Sequence, residues 1–393
     1  MPRGVIAVSE NLKEEISANV DGLQKDLEEI VRRLHAQPET GLQEHKTAAY
    51  LAGVLAGAGF SVESGIAGLD TAFRATWGTG PVTVALLAEM DALPGLGHAC
   101  GHNVIAAAAV GGAIALSRSL RPEQMRVVVF GTPAEELGIG KLELIRHGYF
   151  DDIDAAMMVH PSSRRQVIKE YLGLAKIRFT FRGKPAHAAA YPEEGINALD
   201  GVIQTFNAIN ALRQQLRDDV RVHGIITEGG AAANIIPARA ACYFYVRAVD
   251  LDELDRVKAR VIACARGAAL ATGTEVSVEE DERVMAPLRI NEHFYKVYSD
   301  QLAWLGLPEA NGRRDLHRGS SDIGNVSQVV PTIHPHVPLG PGLHIHTEAF
   351  AAATVSAAGF DAAAEGAKAL ALTAAALALD TAVLAEIRAQ FNQ

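Results

Sequence analysis

Cys100 and His102 stand on either side of one glycine in the run His98-Ala99-Cys100-Gly101-His102. A thiolate and an imidazole spaced this way can approach one centre from a tight loop, with Gly101 allowing the turn. The pair suits zinc or another late transition metal. Glu135 and Glu136 form a second cluster in Pro133-Ala134-Glu135-Glu136. Neighbouring side chains of an extended segment point to opposite sides, so the two carboxylates cannot both serve one ion. A division of labour fits better, with one carboxylate as a ligand, tolerant of manganese as well as zinc, and the other as a general base toward water. His160, followed by Pro161, is a third candidate, because an imidazole at a buried strand end needs a metal or a hydrogen bond. Farther on, His334, His336, His344 and His346 crowd a Pro/Gly-rich loop, and crowding does not say which of them would bind an ion.

Each cluster follows a short apolar run. Val82–Ala88 leads to Glu89-Met90-Asp91 and on to Cys100 and His102; Val127–Phe130 leads to the Glu pair; Ala155–Val159 leads to His160. Between the first two runs lies a small apolar helix, roughly Val104–Leu120. Unbroken apolar strands alternating with helices predict a parallel sheet covered on both faces. Ligands of such sheets bind beyond the carboxyl ends of the strands. Taken singly, Cys100 reads as a small buried side chain, His102 as a helix cap and the Glu pair as a solvated helix start. Three clusters on successive strand ends weigh against those readings. No glycine-rich phosphate loop competes: Gly111-Gly112 falls inside a helical pattern, and no GxGxxG occurs.

Upstream, Leu23, Leu27, Ile30, Val31 and Leu34 recur at helical spacing, and a second amphipathic run covers Thr47–Leu55 before Gly57 and Gly59. The middle of the chain changes to alternating strands. Leu174–Arg182, Val220–Thr227, Ala240–Arg247 and Thr274–Val278 frame helices over Ile196–Leu216 and Leu251–Leu270, the latter with Asp250 as N-cap. The order β-α-β-β-α-β is the split-βαβ, ferredoxin-like pattern. The expected organisation is an outer α/β domain over 1–172 and 287–393, with a domain inserted over 173–286.

Composition agrees. The 393 residues suit two domains, and 49% hydrophobic with 21% charged residues is a globular balance. A net charge of −10 argues against a nucleic-acid surface. The segment MPRGVIAVSENLKEE lacks the apolar core of a signal peptide, and the Ala-rich run from Ala351 to Ala382 is broken by Asp361, Glu365, Lys368 and Asp380, so helices rather than a membrane span are expected. Three cysteines, an odd and sparse set, favour a reducing compartment, and a cytoplasmic location is expected.

Nearly the whole chain resembles the aminoacylase and glutamate carboxypeptidase family of dinuclear metallohydrolases. It is most similar to the branch of p-aminobenzoyl-glutamate hydrolases, indoleacetyl-amino-acid hydrolases and dipeptidase-like relatives. The resemblance rests on the HxxPExG run from His35 to Leu42, Met90-Asp91-Ala92-Leu93-Pro94, His98–His102, Pro133–Glu136, Gly183-Lys184-Pro185-Ala186-His187-Ala188, Asn234-Ile235-Ile236-Pro237, Ser320–Asn325 and His346–Phe350. It implies two divalent ions, Zn or Mn, with Cys100 bridging them, His102 and Glu136 together or split between them, and His160 and His346 completing the set. Glu135 corresponds to the general base, which activates water toward an amide carbonyl and then protonates the leaving nitrogen. The inserted domain corresponds to a lid and dimerisation domain, implying a homodimer. His187 there matches a residue that reaches the partner's site to stabilise the oxyanion, and Asn234 and Arg247 match positions holding the substrate carbonyl and carboxylate. The implied activity is hydrolysis of N-acyl amino acids or small dipeptides with a free carboxylate; p-aminobenzoyl-glutamate hydrolysis is the alternative. Asn103 and Ile105 depart from the Asp and His common in the branch, which moves the expectation away from indoleacetyl conjugates. A non-catalytic metal-binding scaffold is the competing class, but such a relative is expected to lose Glu135 or a ligand, and none is lost. No nicotinamide or flavin fingerprint supports an oxidoreductase.

Overall fold

The computed structural model describes residues 8–307 and 318–393. The start of the segment read above for a signal peptide, residues 1–7, and residues 308–317 of the outer domain lie outside the described residues. The chain forms two compact units: one from its N-terminus to Glu170, with Leu288–Arg318 and Asn325–Gln393, and a second from Tyr171–Pro287 with Gly319–Gly324.

The first unit opens with α1 (Glu10–Gly22), α2 (Gln24–Ala36) and α3 (His45–Gly57), which bury Ile16, Val20, Leu27, Ile30, Val31, Leu34, Leu51 and Leu55. The strands β1 (Ser61–Ser64) and β2 (Phe73–Trp77) follow, then β3 (Thr83–Glu89), α4 (His102–Ser119), β4 (Arg126–Thr132), α5 (Gly140–Arg146), β5 (Ala155–Met157) and β6 (His160–Ser162). All seven residues of β3 are buried, so its lack of alternation follows from cover on both faces.

The second unit contains β7 (Gly173–Arg182), α6 (Ala198–Leu212), β8 (Arg221–Glu228), β9 (Arg239–Ala248), α7 (Leu251–Thr272) and β10 (Glu275–Glu280). Its sheet has the order β10-β7-β9-β8, antiparallel throughout, which is the ferredoxin-like arrangement. Alternate residues Ile177, Phe179 and Phe181 of β7 pack with Cys242, Phe244 and Val246 of β9 in the core of this unit. Asp250 caps α7, accepting from the Glu253 N–H. The short segment 319–324, which the sequence reading leaves with the outer domain, groups here; the Leu172 N–H donates to the Gly319 C=O at 2.8 Å.

The chain continues through α8 (Glu292–Trp304), α9 (Ile323–Val329), β11 (Thr332–Ile333), β12 (His336–Pro338), α10 (Glu348–Thr354), α11 (Ala357–Leu379) and α12 (Thr381–Phe391). In the first unit's main sheet the order is β1-β2-β4-β3-β5-β11. The pairs β3–β4, β3–β5 and β5–β11 are parallel, as expected, but β1–β2 and β2–β4 are antiparallel. The sheet is therefore mixed rather than wholly parallel. The two unforeseen strands carry little apolar signal: β1 is Ser-Val-Glu-Ser and largely exposed. A separate parallel pair joins β6 to β12, with His160 opposite His336. Helix α11 is long and apolar enough to span a membrane, yet 78% of its most apolar window is buried inside this unit.

Candidate metal centre

Parallel pairing sets the carboxyl ends of β4, β3 and β5 side by side, and the predicted clusters leave from those ends. After β3 the chain turns through residues 90–101 and enters α4 at His102. Gly101 has φ +88°, and a Cβ there would lie 2.3 Å from Pro161 Cγ, so only glycine fits between the Cys100 loop and the His160 strand. After β4, Ala134 adopts the left-handed φ of +56°, and Glu135-Glu136-Leu137 form one turn of 3-10 helix. His160 opens β6, three residues beyond the end of β5. His346 has φ +64° and is tied back by its N–H to the Ala99 C=O at 2.8 Å. Left-handed conformations of such residues cost on the order of 1–2 kcal/mol and persist where the surroundings over-determine them.

These turns gather the five predicted ligands into two overlapping groups. Cys100, His102 and His160 offer ligand atoms within 4.8 Å of one another, and so do Cys100, Glu136 and His346. Cys100 belongs to both. His102 and Glu136, which the sequence left together or split, fall in different groups. A third group joins Glu89, His102 and Glu135. The other loop histidines fall outside these groups: the buried rings of His334 and His336 pack around His160 at centroid distances of 5.5 and 5.3 Å, and His344 is exposed, as is His346.

The hydrogen bonds prepare the histidines to bind an ion. His102 Nδ1 donates to the Asp91 C=O at 2.7 Å and to Asp91 Oδ1 at 3.0 Å. His160 Nδ1 donates to the Pro161 C=O at 2.8 Å. Both rings therefore turn Nε2 inward, the tautomer that an outer carboxylate or carbonyl sets for a metal-binding imidazole. His160 Nε2 is 3.5 Å from Cys100 Sγ. His102 Nε2 and Glu136 Oε1 are buried without a well-formed hydrogen bond; their nearest polar neighbours are Glu89 Oε2 at 3.3 Å and His346 Nε2 at 3.4 Å, themselves members of the ligand groups. A thiol, imidazoles and carboxylates with such inward-facing atoms fit divalent ions of the zinc or manganese type.

Electrostatics follow from burial and crowding. Burial would lower the His102 pKa, but Cys100, Asp91 and Glu89 outweigh it and raise it well above the usual value. Burial would raise Asp91; His102 and the N–H groups of Glu136 and Glu135 hold it below the usual carboxylate range instead. Burial pushes the Cys100 thiol far up and His160 down to about 4. Glu136 is likewise pushed up by burial but ends below its ordinary value through His346 and His102, with His346 Nε2 3.4 Å from Glu136 Oε1. Glu135 is 8% exposed, and its Oε2 lies 3.9 Å from His102 Nε2.

Two participants carried no assigned role in the sequence reading. Glu89, the last residue of β3, puts Oε2 3.3 Å from His102 Nε2 and takes Lys141 Nζ on Oε1 at 2.6 Å, with both side chains of the pair buried. An acid ending a wholly apolar strand was the available signal for Glu89; Lys141, inside a short helix, offered none. Asp91 is the other, binding both His102 and the Glu136 N–H, the latter at 3.1 Å. Asn103, the departure noted above, points away from the ligand groups. Its amide donates to the Val31 C=O at 3.2 Å and Thr354 Oγ1 at 3.0 Å, so the change leaves the ligand set intact.

Within the second unit, His187 and Asn234 lie on adjoining loops. His187 bridges to Ile235, and the Ala188 N–H donates to the Asn234 C=O at 3.0 Å. Both side chains are exposed. His187 Nδ1 accepts from the Ala189 and Ala190 N–H groups, which presents its Nε2 outward. Arg247, half-buried on β9, donates to Ser320 Oγ at 2.7 Å.

Comparison with known proteins agrees with this architecture. Residues 171–272 match the M20 family's peptidase dimerisation domain. The chain is 37% identical over 366 residues to the Xaa-Arg dipeptidase of Mus musculus, covering 89% of this chain and 85% of that protein. It is 34% identical over 304 residues to a p-aminobenzoyl-glutamate hydrolase chain of Escherichia coli, covering 72% of this chain and 63% of that one. A dinuclear metal-binding peptidase of the M20 family from Bacillus subtilis shares the fold, with TM-score 0.70 and 20% identity, over 90% of this chain and 98% of that one.

Proposed function

The chain belongs to the M20 family of metallopeptidases and amidohydrolases, and from that premise we propose that it hydrolyses the amide bond of dipeptides or N-acyl amino acids bearing a free carboxylate. The observation carrying this reading is the sharing of Cys100 between two ligand groups, with Glu135 beside them. Cys100, His102 and His160 would hold one divalent ion, and Cys100, Glu136 and His346 the other; zinc and manganese both suit this donor set. Bound ions of this kind polarise a carbonyl and lower the pKa of water to about 7. Glu135 takes a proton from the attacking water and returns it to the leaving nitrogen. Asp91 orients His102 and the Glu136 turn throughout.

The substrate class draws on chemistry shared by the relatives' names. An Xaa-Arg dipeptide and p-aminobenzoyl-glutamate are both amino acids acylated on nitrogen. Arg247 would grip the carboxylate through its guanidinium fork. Asn234 would hold the carbonyl, and the outward Nε2 of His187 would stabilise the oxyanion from a partner subunit. The match to a dimerisation domain supports that homodimer. Specific p-aminobenzoyl-glutamate hydrolysis is the second reading, favoured by the relative in Escherichia coli.

The test is a hydrolysis screen after chelation and reloading with Mn²⁺, Zn²⁺ or Co²⁺, read by released amine. The panel holds Xaa-Arg and other dipeptides, N-acetyl amino acids and p-aminobenzoyl-glutamate. Metal-restored cleavage of any of them is expected; full activity in excess chelator, or none on the whole panel after reloading, overturns the reading.

A further inference from the structure

The HxxPExG run and the residues after it take no part in the chemistry described above, yet they grip both loops that supply it. Glu39 C=O accepts from the Ala92 N–H at 2.8 Å, next to Asp91. The Glu39 carboxylate accepts from the Thr47 N–H at 2.8 Å and Thr47 Oγ1 at 2.9 Å, fastening the segment to the start of α3. Five residues on, the Glu44 side chain is fully buried, and Oε1 accepts from the Ala134 N–H at 2.8 Å. Its Oε2 accepts from Thr71 Oγ1 at 3.0 Å. Gly41 closes the contact from the other side: a Cβ there would lie 3.1 Å from Ala134 Cα.

Ala134 immediately precedes Glu135 and holds φ +56° and ψ 42°, a conformation its own side chain disfavours. Its C=O already serves the turn, accepting from Leu137 and Ile139. The N–H is the remaining handle on its orientation, and Glu44 holds it. We propose that Glu44 is a positioning residue for the Glu135–Glu136 turn, fixing the left-handed Ala134 from 90 residues away in sequence. Without the Glu44 acceptor the buried N–H loses its partner, and the turn can relax toward an ordinary backbone conformation. Both carboxylates then leave their positions relative to Cys100 and His102. The role needs an acceptor of the right length rather than a charge, so glutamine can fill it: its carbonyl oxygen takes the Ala134 N–H and its amide nitrogen donates to Thr71.

The test compares Glu44→Ala, Glu44→Asp and Glu44→Gln. Hydrogen exchange of the peptide spanning 131–139 reads the turn without metal or substrate. Exchange is expected to quicken in Glu44→Ala and Glu44→Asp and to return toward the native rate in Glu44→Gln. With the metal-loaded enzyme, kcat is expected to fall about 10–100-fold in Ala and Asp while KM stays within about threefold, and Gln is expected to recover most of the loss. If Glu44→Ala does not fold, Glu44→Asp, which keeps a buried carboxylate but shortens its reach, carries the test. Native exchange at 131–139 in a folded Ala or Asp variant overturns the proposal, as does a Gln variant no better than Ala. The kinetic arm rests on the hydrolase reading; an inactive wild type overturns that reading, and hydrogen exchange still decides the role of Glu44.

Discussion

Replacing Lys141 by methionine should cost as much stability as truncating a large side chain in the core of the first unit. Nζ of Lys141 sits 2.6 Å from Glu89 Oε1, with the two side chains 0% and 1% exposed. At that distance the direct attraction is about 6 kcal/mol for an effective dielectric near 20. Desolvation of the two ions offsets much of it, so the pair as a whole adds little over an apolar replacement. Removing one partner is different, because Glu89 stays buried at the end of β3 with only the His102 ring, its Nε2 3.3 Å from Oε2, as a remaining neighbour of opposite charge. Such breaks cost about 3–5 kcal/mol, which for a unit of this size lowers Tm by roughly 6–20 °C. The double variant Lys141→Met/Glu89→Leu removes both charges and should recover most of the loss. The assay is thermal and denaturant unfolding of the chelator-treated protein for wild type, both single variants and the double, read as a double-mutant cycle. A Lys141→Met protein within about 1 kcal/mol of wild type, or a double variant less stable than Lys141→Met, would refute the account.

Other consequences are equally direct. Glu135→Ala should lower kcat by about 10³-fold or more while leaving folding and metal content unchanged, checked by steady-state kinetics and elemental analysis; undiminished turnover removes Glu135 from its role. Cys100→Ala should weaken both ions together, because both ligand groups share Sγ, whereas His346→Ala should weaken one; calorimetric titration with Mn²⁺ separates the two patterns. Gly101→Ala should destabilise by about 2–4 kcal/mol, the sum of a left-handed alanine and a Cβ driven against Pro161, measured by chemical denaturation. Mixed His187→Ala and Glu135→Ala subunits should regain activity if His187 acts across a dimer, and no regain after proven subunit exchange counts against that. The metal-free protein should lose stability as pH falls below about 6.5. Burial holds His98 down to about 3, and burial together with the neighbouring His160 holds His334 and His336 well below the ordinary value. The native state therefore binds fewer protons than the unfolded chain, and each such histidine removes about 1.4 kcal/mol per pH unit through that window. A stability flat from pH 7 to 5 in urea titrations would contradict it.

Much of this site was legible because it hangs on strand ends, where an apolar run stops abruptly at a polar cluster. The turns after β3 and β4 that carry the candidate ligands announced themselves in that way, and the ferredoxin-like order of the second unit followed from period-two alternation. What stayed hidden depends on three-dimensional closure. Glu89 and Lys141 lie 52 residues apart, and no local pattern pairs them. His346, chosen among its neighbours by resemblance, is set beside Cys100 and Glu136 by a left-handed backbone and the tether to Ala99, neither visible in a run of histidines. The antiparallel edge was missed because Phe73–Trp77 is short and β1 is mostly polar; their place is fixed by pairing, as where Phe73 covers Gly131, whose added Cβ would meet the ring at 2.1 Å.

The alanine bias, which looked like mere composition, bears on the same site. Helix α4 begins at His102 and is buried from there through Leu116, so it has no polar face to offer solvent. It packs along α11, also largely alanine and buried over most of its length. Large side chains on either helix would push the two apart. At Gly112 a Cβ would already stand 3.0 Å from the Ala367 C=O, and at Gly111 it would stand 2.5 Å from Leu27 Cδ2. Small residues thus let α4 sit close between α11 and the strands behind it, in an interior packed densely enough to resist displacement. Alanine keeps the cost in helix propensity low, because it is the best helix former, whereas glycines such as Gly111 and Gly112 raise it. A helix held this way cannot slide or tilt without opening voids, so its first residue is held equally firmly. His102 sits at that first residue, its Nδ1 hydrogen-bonded to Asp91 and its Nε2 facing the other ligands. The position of His102 among the candidate ligands is therefore held by alanine and glycine packed in the core behind it.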